Sequence, residues 1–373
     1  RFIENLDEIY LLFVGLIVLI NQSRLIKIFA SGGFMDPIIK AVDVQYCTLQ
    51  CPDLDVQEQF LIHFGMHTVE KTDNMLLMRG EGPQPFIEKC IKGEKKFLSA
   101  SFLAASMDDL NKLSESESFS EVEELTTPGG GFVTRAMDPD GIGVEVVYGI
   151  ENRPDYDEIA PYPTNEGTNV NRVNQIKRYP KGSYPKIIRF AHYGINSNNI
   201  SAALEWYNNH LGIIPSDKLW FGDSGDSNTP LMGCFARLDR GLTPADHHSI
   251  FWLDANNQSE GIAGLNHVSF EMLNIDDVFM GHEILQQKKE EFDYELEWGV
   301  GRHYQGSQIF DYWRSPFKQT HEHQTDGDLL DNSISCNDIN MIENTGGMPG
   351  DDPGPSQWGP PINLGTFGDK RGI

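Results

Sequence analysis

The chain has 373 residues, 39% of them hydrophobic, with 29 basic and 55 acidic side chains and a formal net charge of −26. That length exceeds the usual single domain and points to two domains or two similar halves, while the charge argues against nucleic acid as a partner, since its binders carry a basic patch or stripe. Five cysteines, Cys47, Cys51, Cys90, Cys234 and Cys336, are odd in number and scattered, which reads as free thiols in a reducing, cytoplasmic compartment.

The first feature along the chain is the apolar run IYLLFVGLIVLI, Ile9 to Ile20. Its 12 residues fall short of the roughly 20 that a membrane-spanning helix needs. Glu4, Asp7 and Glu8 precede it where a signal peptide carries positive charge. Residues 1–39 are therefore expected to be an extension outside the fold, with no membrane partner.

Beyond residue 40 the chain repeats itself, and such a repeat outranks other fold signals. SASFLAASMDDL, Ser99 to Leu110, matches HVSFEMLNIDDV, His267 to Val278, and DPDGIGVE, Asp138 to Glu145, matches SPFKQTHE, Ser315 to Glu322. Each copy opens on an alternating strand, DVQYCTL or RFAHYGI, followed by a helix-like stretch that ends near a glycine. Strands follow, then a second helix at the Asp-Asp pair, and a strand pair around the Pro turn closes each copy. The expected fold is α+β, built of tandem βαβββ modules in two domains of paired modules, each forming a half-barrel-like sheet. The first domain is assigned to residues 40–150 and the second to 186–330. Between them, residues 151–185 are rich in Pro, Asn and Gly and read as a linker. Residues 331–373 form a Gly/Pro-rich tail, expected to be extended rather than helical.

Chemistry-bearing residues concentrate in the second copy. His192 in RFAHYGI, His267 in LNHVSFEM and Glu322 in THEH fall at corresponding strand positions, and two histidines with one carboxylate on one face of a metal form the usual oxygen-activating ferrous site. The first copy serves as an internal control. The repeat sets Ser99 opposite His267 and Glu145 opposite Glu322. Matching the opening strands on Tyr46 and Tyr193 sets Gln45 opposite His192. One copy is expected to bind metal and the other not.

LNHVSF, GRHYQGSQIFDYW and the spacing His303-x8-Tyr312-x9-Glu322 resemble the type I extradiol ring-cleavage dioxygenases of the vicinal oxygen chelate (glyoxalase/bleomycin resistance) superfamily. The resemblance runs from about residue 40 to the C-terminus and is strongest between Ile187 and Asp328. It implies His192, His267 and Glu322 as ligands of Fe(II), or of Mn(II), and a catechol-type aromatic substrate cleaved with O2 by a homo-oligomer. It also implies an acid–base histidine in DHHSIFWL, where the family pattern points to His247 and strand alternation turns His248 outward. His303 and Tyr312 match groups that hydrogen-bond the substrate oxygens. Phe251, Trp252 and Trp313 are candidate walls for the aromatic ring.

The family's Asp-Pro-x-Gly turn is replaced by Ser315, Pro316, Phe317 and Lys318, so a non-glycine residue is expected to take the positive φ that the glycine would carry, at a tolerable cost. The separation of 75 positions from His192 to His267 also exceeds the family norm, and the polar stretch GDSGDSNTP, Gly222 to Pro230, is expected to absorb the excess as a loop. Two other readings compete: a metal-dependent isomerase or transferase of the same superfamily, and a non-catalytic small-molecule binding protein.

Overall fold

The computed structural model describes residues 36–180, 182–226, 228–341 and 356–361. The N-terminal apolar run lies outside the described residues. Among the described residues, no helix is long and apolar enough to cross a membrane.

The first half runs β1 (Asp43–Cys51), α1 (Leu54–Phe64), β2 (His67–Lys71), β3 (Met75–Arg79), β4 (Glu88–Lys92), β5 (Lys96–Leu103), α2 (Met107–Ser114), β6 (Glu123–Glu124), β7 (Phe132–Met137) and β8 (Gly143–Tyr148). The second begins with β9 (Ile187–Ser197), α3 (Ile200–Leu211), β10 (Ile213–Trp220), β11 (Leu231–Leu238), β12 (Ala245–Asp246), β13 (Ile250–Asp254) and the short α4 (Ala255–Gln258). It continues through β14 (Gly264–Met272), α5 (Ile275–Phe292), β15 (Glu295–His303), β16 (Ile309–Arg314) and β17 (Thr320–Thr325), and closes with β18 (Leu329–Leu330), β19 (Asn337–Asn340) and β20 (Ser356–Trp358).

Helix ends follow local chemistry. Asp53, Ser106, Asn199 and Asn274 cap α1, α2, α3 and α5 by accepting first-turn N–H groups. Gly65 and Gly212 end α1 and α3 in the left-handed conformation.

The sheets repeat each other as the sequence does. The first has the order β2-β3-β4-β1-β5-β8-β7-β6, and the second contains β10-β11-β13-β9-β14-β17-β16-β15 in matching positions, with β19 and β20 added at its outer edges. Parallel pairs fall at the same places, β1 with β4 and β5 with β8, then β9 with β13 and β14 with β17. Each half is thus two βαβββ modules side by side, the α+β architecture expected from the repeat. Part of the C-terminal tail does more than drape over the surface, because β19 and β20 hydrogen-bond into the second sheet.

The halves meet through aromatic and histidine side chains. His323 stacks on Phe64 with centroids 3.8 Å apart, and its Nε2 lies 2.7 Å from the Phe64 carbonyl. His321 Nε2 sits 3.2 Å from the buried Glu88 carboxylate. A second tie is Asp138, whose Oδ1 accepts the N–H groups of Asp140 and Ile142 and whose Oδ2 accepts the Tyr207 hydroxyl of α3 at 3.1 Å.

Burial raises the Asp138 carboxyl to about 6, against an ordinary 3.8. The folded state therefore binds a proton more tightly than the unfolded chain between those values, and this contribution to stability is lost as pH rises from about 4 to 6. Asp138→Asn keeps the acceptor oxygen and removes the buried charge. It is expected to flatten that part of the stability profile and to leave the variant about 1–3 kcal/mol more stable above pH 6. Urea unfolding at pH 4.5 and 7.5 checks this, and equal pH slopes for parent and variant would refute it.

Candidate metal centre

His192, His267 and Glu322 lie on the adjacent strands β9, β14 and β17, and all three are buried. Glu322 Oε2 is 3.1 Å from His192 Nε2 and 3.3 Å from His267 Nε2, and the two ring nitrogens are 3.3 Å apart. Register explains the convergence: Ser269 of β14 is directly opposite both His192 and Glu322. Neither carboxylate oxygen of Glu322 completes a hydrogen bond of ordinary geometry, although the residue is fully buried. A buried carboxylate left in that condition is costly unless a cation meets it.

The electrostatics agree. Burial would raise Glu322, but the surrounding His192, His267 and His303 hold it well below the usual carboxylate range. Burial pushes His267 down to about 4 against the pull of Glu322, so its imidazole is neutral and keeps a lone pair. Two imidazoles and one carboxylate, with donor atoms converging on one point, fit a divalent cation such as Fe(II) or Mn(II).

One supporting contact was not foreseen. His267 Nδ1 lies 2.9 Å from Asn266 Oδ1, and Asn266 Nδ2 donates to Asn196 Oδ1 at 3.1 Å. This fixes the tautomer that leaves Nε2 free for a metal. The only sequence signal was the Asn that immediately precedes His267. Asn266→Ala is expected to weaken metal affinity about 10–100-fold, read by competition with a chelator, and unchanged affinity would show that the ring needs no such partner.

His303 and Tyr312 come to the same place. His303 Nε2 is 2.8 Å from the Tyr312 hydroxyl and 3.5 Å from Glu322 Oε1. Burial and the nearby Glu322 raise the Tyr312 phenol well above its usual value, so it stays protonated. His321 and His323, which flank Glu322, point to the opposite face of β17 and form the ties to the first half described above.

The adjacent histidines reverse the expected arrangement. His248, not His247, lies against the triad, with its ring centroid 4.3 Å from that of His192. His247 turns away, its Nε2 3.0 Å from Asp217 Oδ2 and its Nδ1 3.1 Å from His248 Nδ1. Alternation does not apply here, because residues 247–249 fall between β12 and β13 rather than within a strand. Burial, reinforced by His192 and His247, pushes His248 well below its usual value, and the ring is neutral.

Of the three candidate aromatic walls, only Phe251 faces the triad, 5.1 Å from the His267 ring and stacked on Phe235. Trp252 packs against Tyr207, and Trp313 packs against His282. Both are strand neighbours of site-facing residues and so lie on the other face. Trp298, which was not foreseen, stacks on Tyr312 at 5.7 Å.

The turn that aims Glu322 repeats its counterpart. Lys318 N–H donates to the Ser315 carbonyl and Ser315 N–H to that of Gln319, as Gly141 donates to Asp138 and Asp138 to Ile142 in the first half. Lys318 holds φ +62° where Gly141 holds +79°, so the turn keeps its shape at a strain of roughly 1–2 kcal/mol.

The first half presents the same positions with other chemistry. Ser101 faces Glu145 as Ser269 faces Glu322. Across β1 and β5, Cys47 faces Ala100, as Tyr193 faces Val268 across β9 and β14. The counterpart of His192 is therefore Tyr46, one residue from the expected Gln45. Its hydroxyl donates to Glu145 Oε2 at 2.6 Å, and Arg135 Nε donates to Oε1 at 3.1 Å. The protein's own phenol and guanidinium satisfy the carboxylate there.

Comparison with known proteins agrees with this architecture. Residues 189–315 match the family model described as the Glyoxalase/Bleomycin resistance protein/Dioxygenase superfamily. Metapyrocatechase 2 of Cupriavidus necator is 24% identical over 291 residues, covering 77% of this chain and 82% of the relative. Over that stretch the chain is similar to proteins of that superfamily. Among solved structures, the Mn(II)-bound glyoxalase from Novosphingobium aromaticivorans superposes with TM-score 0.65 at 21% identity, over 88% of this chain and 94% of that one. A variant of homoprotocatechuate 2,3-dioxygenase from B. fuscum gives 0.66 at 15% identity, over 90% and 84%. Both likenesses concern the fold.

Proposed function

We propose that the chain is an extradiol ring-cleavage dioxygenase that opens a catechol beside its two hydroxyls, with both atoms of O2 entering the product. The observation that carries this reading is the buried His192–His267–Glu322 triad with its unsatisfied carboxylate, next to His248, His303 and Tyr312. An isomerase or a simple binding protein gives no evident reason to gather those three further polar groups around the triad. The three ligands would hold Fe(II), or alternatively Mn(II), which when bound supplies Lewis acidity and a meeting place for diol and oxygen.

The protein's own residues do the rest. Neutral His248 accepts a proton from a catechol hydroxyl and returns it later, a general acid–base role suited to an imidazole. His247 and Asp217 position it, through the 3.1 Å contact between ring nitrogens and the 3.0 Å contact to the carboxylate. The protonated Tyr312, braced by His303, donates toward charge that develops on substrate oxygen. Phe251, Phe235 and Trp298 present apolar surface that holds the ring and excludes water. The buried thiols Cys47, Cys51, Cys90 and Cys234 support a place in the reducing cytoplasm.

The test is oxygen uptake by the Fe(II)-loaded chain with a panel of catechols, using labelled O2. One O2 consumed per ring and both labels in the ring-opened product are expected. Binding of catechols without consumption would overturn the reading.

A further inference from the structure

A cavity of about 130 Å³ adjoins the triad, with His192 and His248 at its inner end and the exposed stretch 326–329 at its mouth. It is slightly smaller than a ~150 Å³ cavity that takes one benzene, so it suits a short substituent rather than a second ring system.

Its walls are acidic. Asp246 and Glu271 share the single guanidinium of Arg189, at 2.7 and 2.6 Å, and Asp43 stands 3.7 Å from the same group. Asp326 pairs with Arg302 at 2.7 Å, and Asp328 Oδ2 accepts the Ser307 hydroxyl at 2.8 Å. Carboxylates outnumber guanidiniums, and among the described residues no lysine or arginine lines the space. A separate observation points to a ligand. Gln324 lines the cavity at 6% exposure, and its Oε1 meets no hydrogen-bond donor. A buried acceptor in that condition calls for an arriving donor.

We propose that this cavity receives the ring substituent of the catechol and selects a cationic hydrogen-bond donor, an alkylammonium group, over a carboxylate. The proposal rests on the ring-cleavage reading above. The ammonium would donate to Gln324 Oε1 and sit among the surplus carboxylates. A substrate carboxylate would meet like charge and leave Gln324 unsatisfied, so discrimination comes from repulsion as well as attraction.

The experiment uses the Fe(II)-loaded full chain and three catechols of similar shape: 4-(2-aminoethyl)catechol, 4-propylcatechol and 3,4-dihydroxyphenylacetate. The amine is expected to exceed the carboxylate in kcat/KM by at least roughly tenfold, carried mainly by KM, with the neutral compound between them. Asp328→Lys should reduce that ratio at least tenfold. Calorimetry of the metal-free chain provides a readout independent of turnover: 4-(2-aminoethyl)phenol should bind in a salt-sensitive manner and 4-hydroxyphenylacetate should not. Oxygen uptake with all three catechols at equal KM, or with the carboxylate preferred, overturns the charge preference and leaves ring cleavage standing. Failure of the metal-replete chain to consume any catechol overturns ring cleavage itself, and the substituent assignment with it.

Discussion

Glu322→Ala is expected to abolish metal retention and turnover together, while Glu145→Gln leaves both near the parent values. The two carboxylates occupy equivalent places, each opposite a serine of the neighbouring parallel strand. Their surroundings decide the difference. Glu322 is fully buried with both oxygens unsatisfied and two imidazole nitrogens within 3.3 Å. Glu145 already has the Tyr46 hydroxyl and the Arg135 guanidinium, so no vacant charge there demands a metal. A triad reduced to two histidines should lose more than the about 10–100-fold in affinity that loss of an outer partner costs. Metal analysis after dialysis reads the first half of the claim and oxygen uptake the second. Two metal ions per chain, or a metal-replete Glu322→Ala variant, would sink the assignment to the second half alone.

The parts of this site that could be read from sequence are those that local periodicity and long repeats encode. The offsets linking Ser99 to His267 and Glu145 to Glu322 survive as strand register, because a sheet with one buried face tolerates no one-residue slip. The Lys318 turn was legible for the same reason, since the position keeps the positive φ of Gly141. Tyr46 was missed because β1 carries a register shift between Val44 and Cys47, and an alignment on identical residues cannot see a bulge. Asn196 behind Asn266 and Asp217 behind His247 lie 70 and 30 residues from their partners. Only the closed sheet brings such pairs together. Trp252 and Trp313 were plausible walls by composition, but strand alternation placed them on the far face.

His248→Phe is expected to keep full metal content and to bind catechol while slowing turnover by about 10²–10⁴-fold, the usual effect of removing one general acid–base group. The ring lies 4.3 Å from that of His192 yet is not one of the three groups whose donor atoms converge, so its loss should spare the metal. His267→Phe supplies the contrast, since it removes a ligand and should lose metal and activity at once. His247→Phe and Asp217→Asn act one and two steps further out. They should slow turnover less than His248→Phe, leave KM near the parent value, and show their effect in kcat, because they position a proton-transferring ring and do not touch substrate. Two results would reverse the assignment. If His247→Phe proved to be the slow, metal-replete variant while His248→Phe stayed active, the proton-handling role would belong to His247 despite its turn toward Asp217. Metal loss in His248→Phe would instead make that residue a ligand.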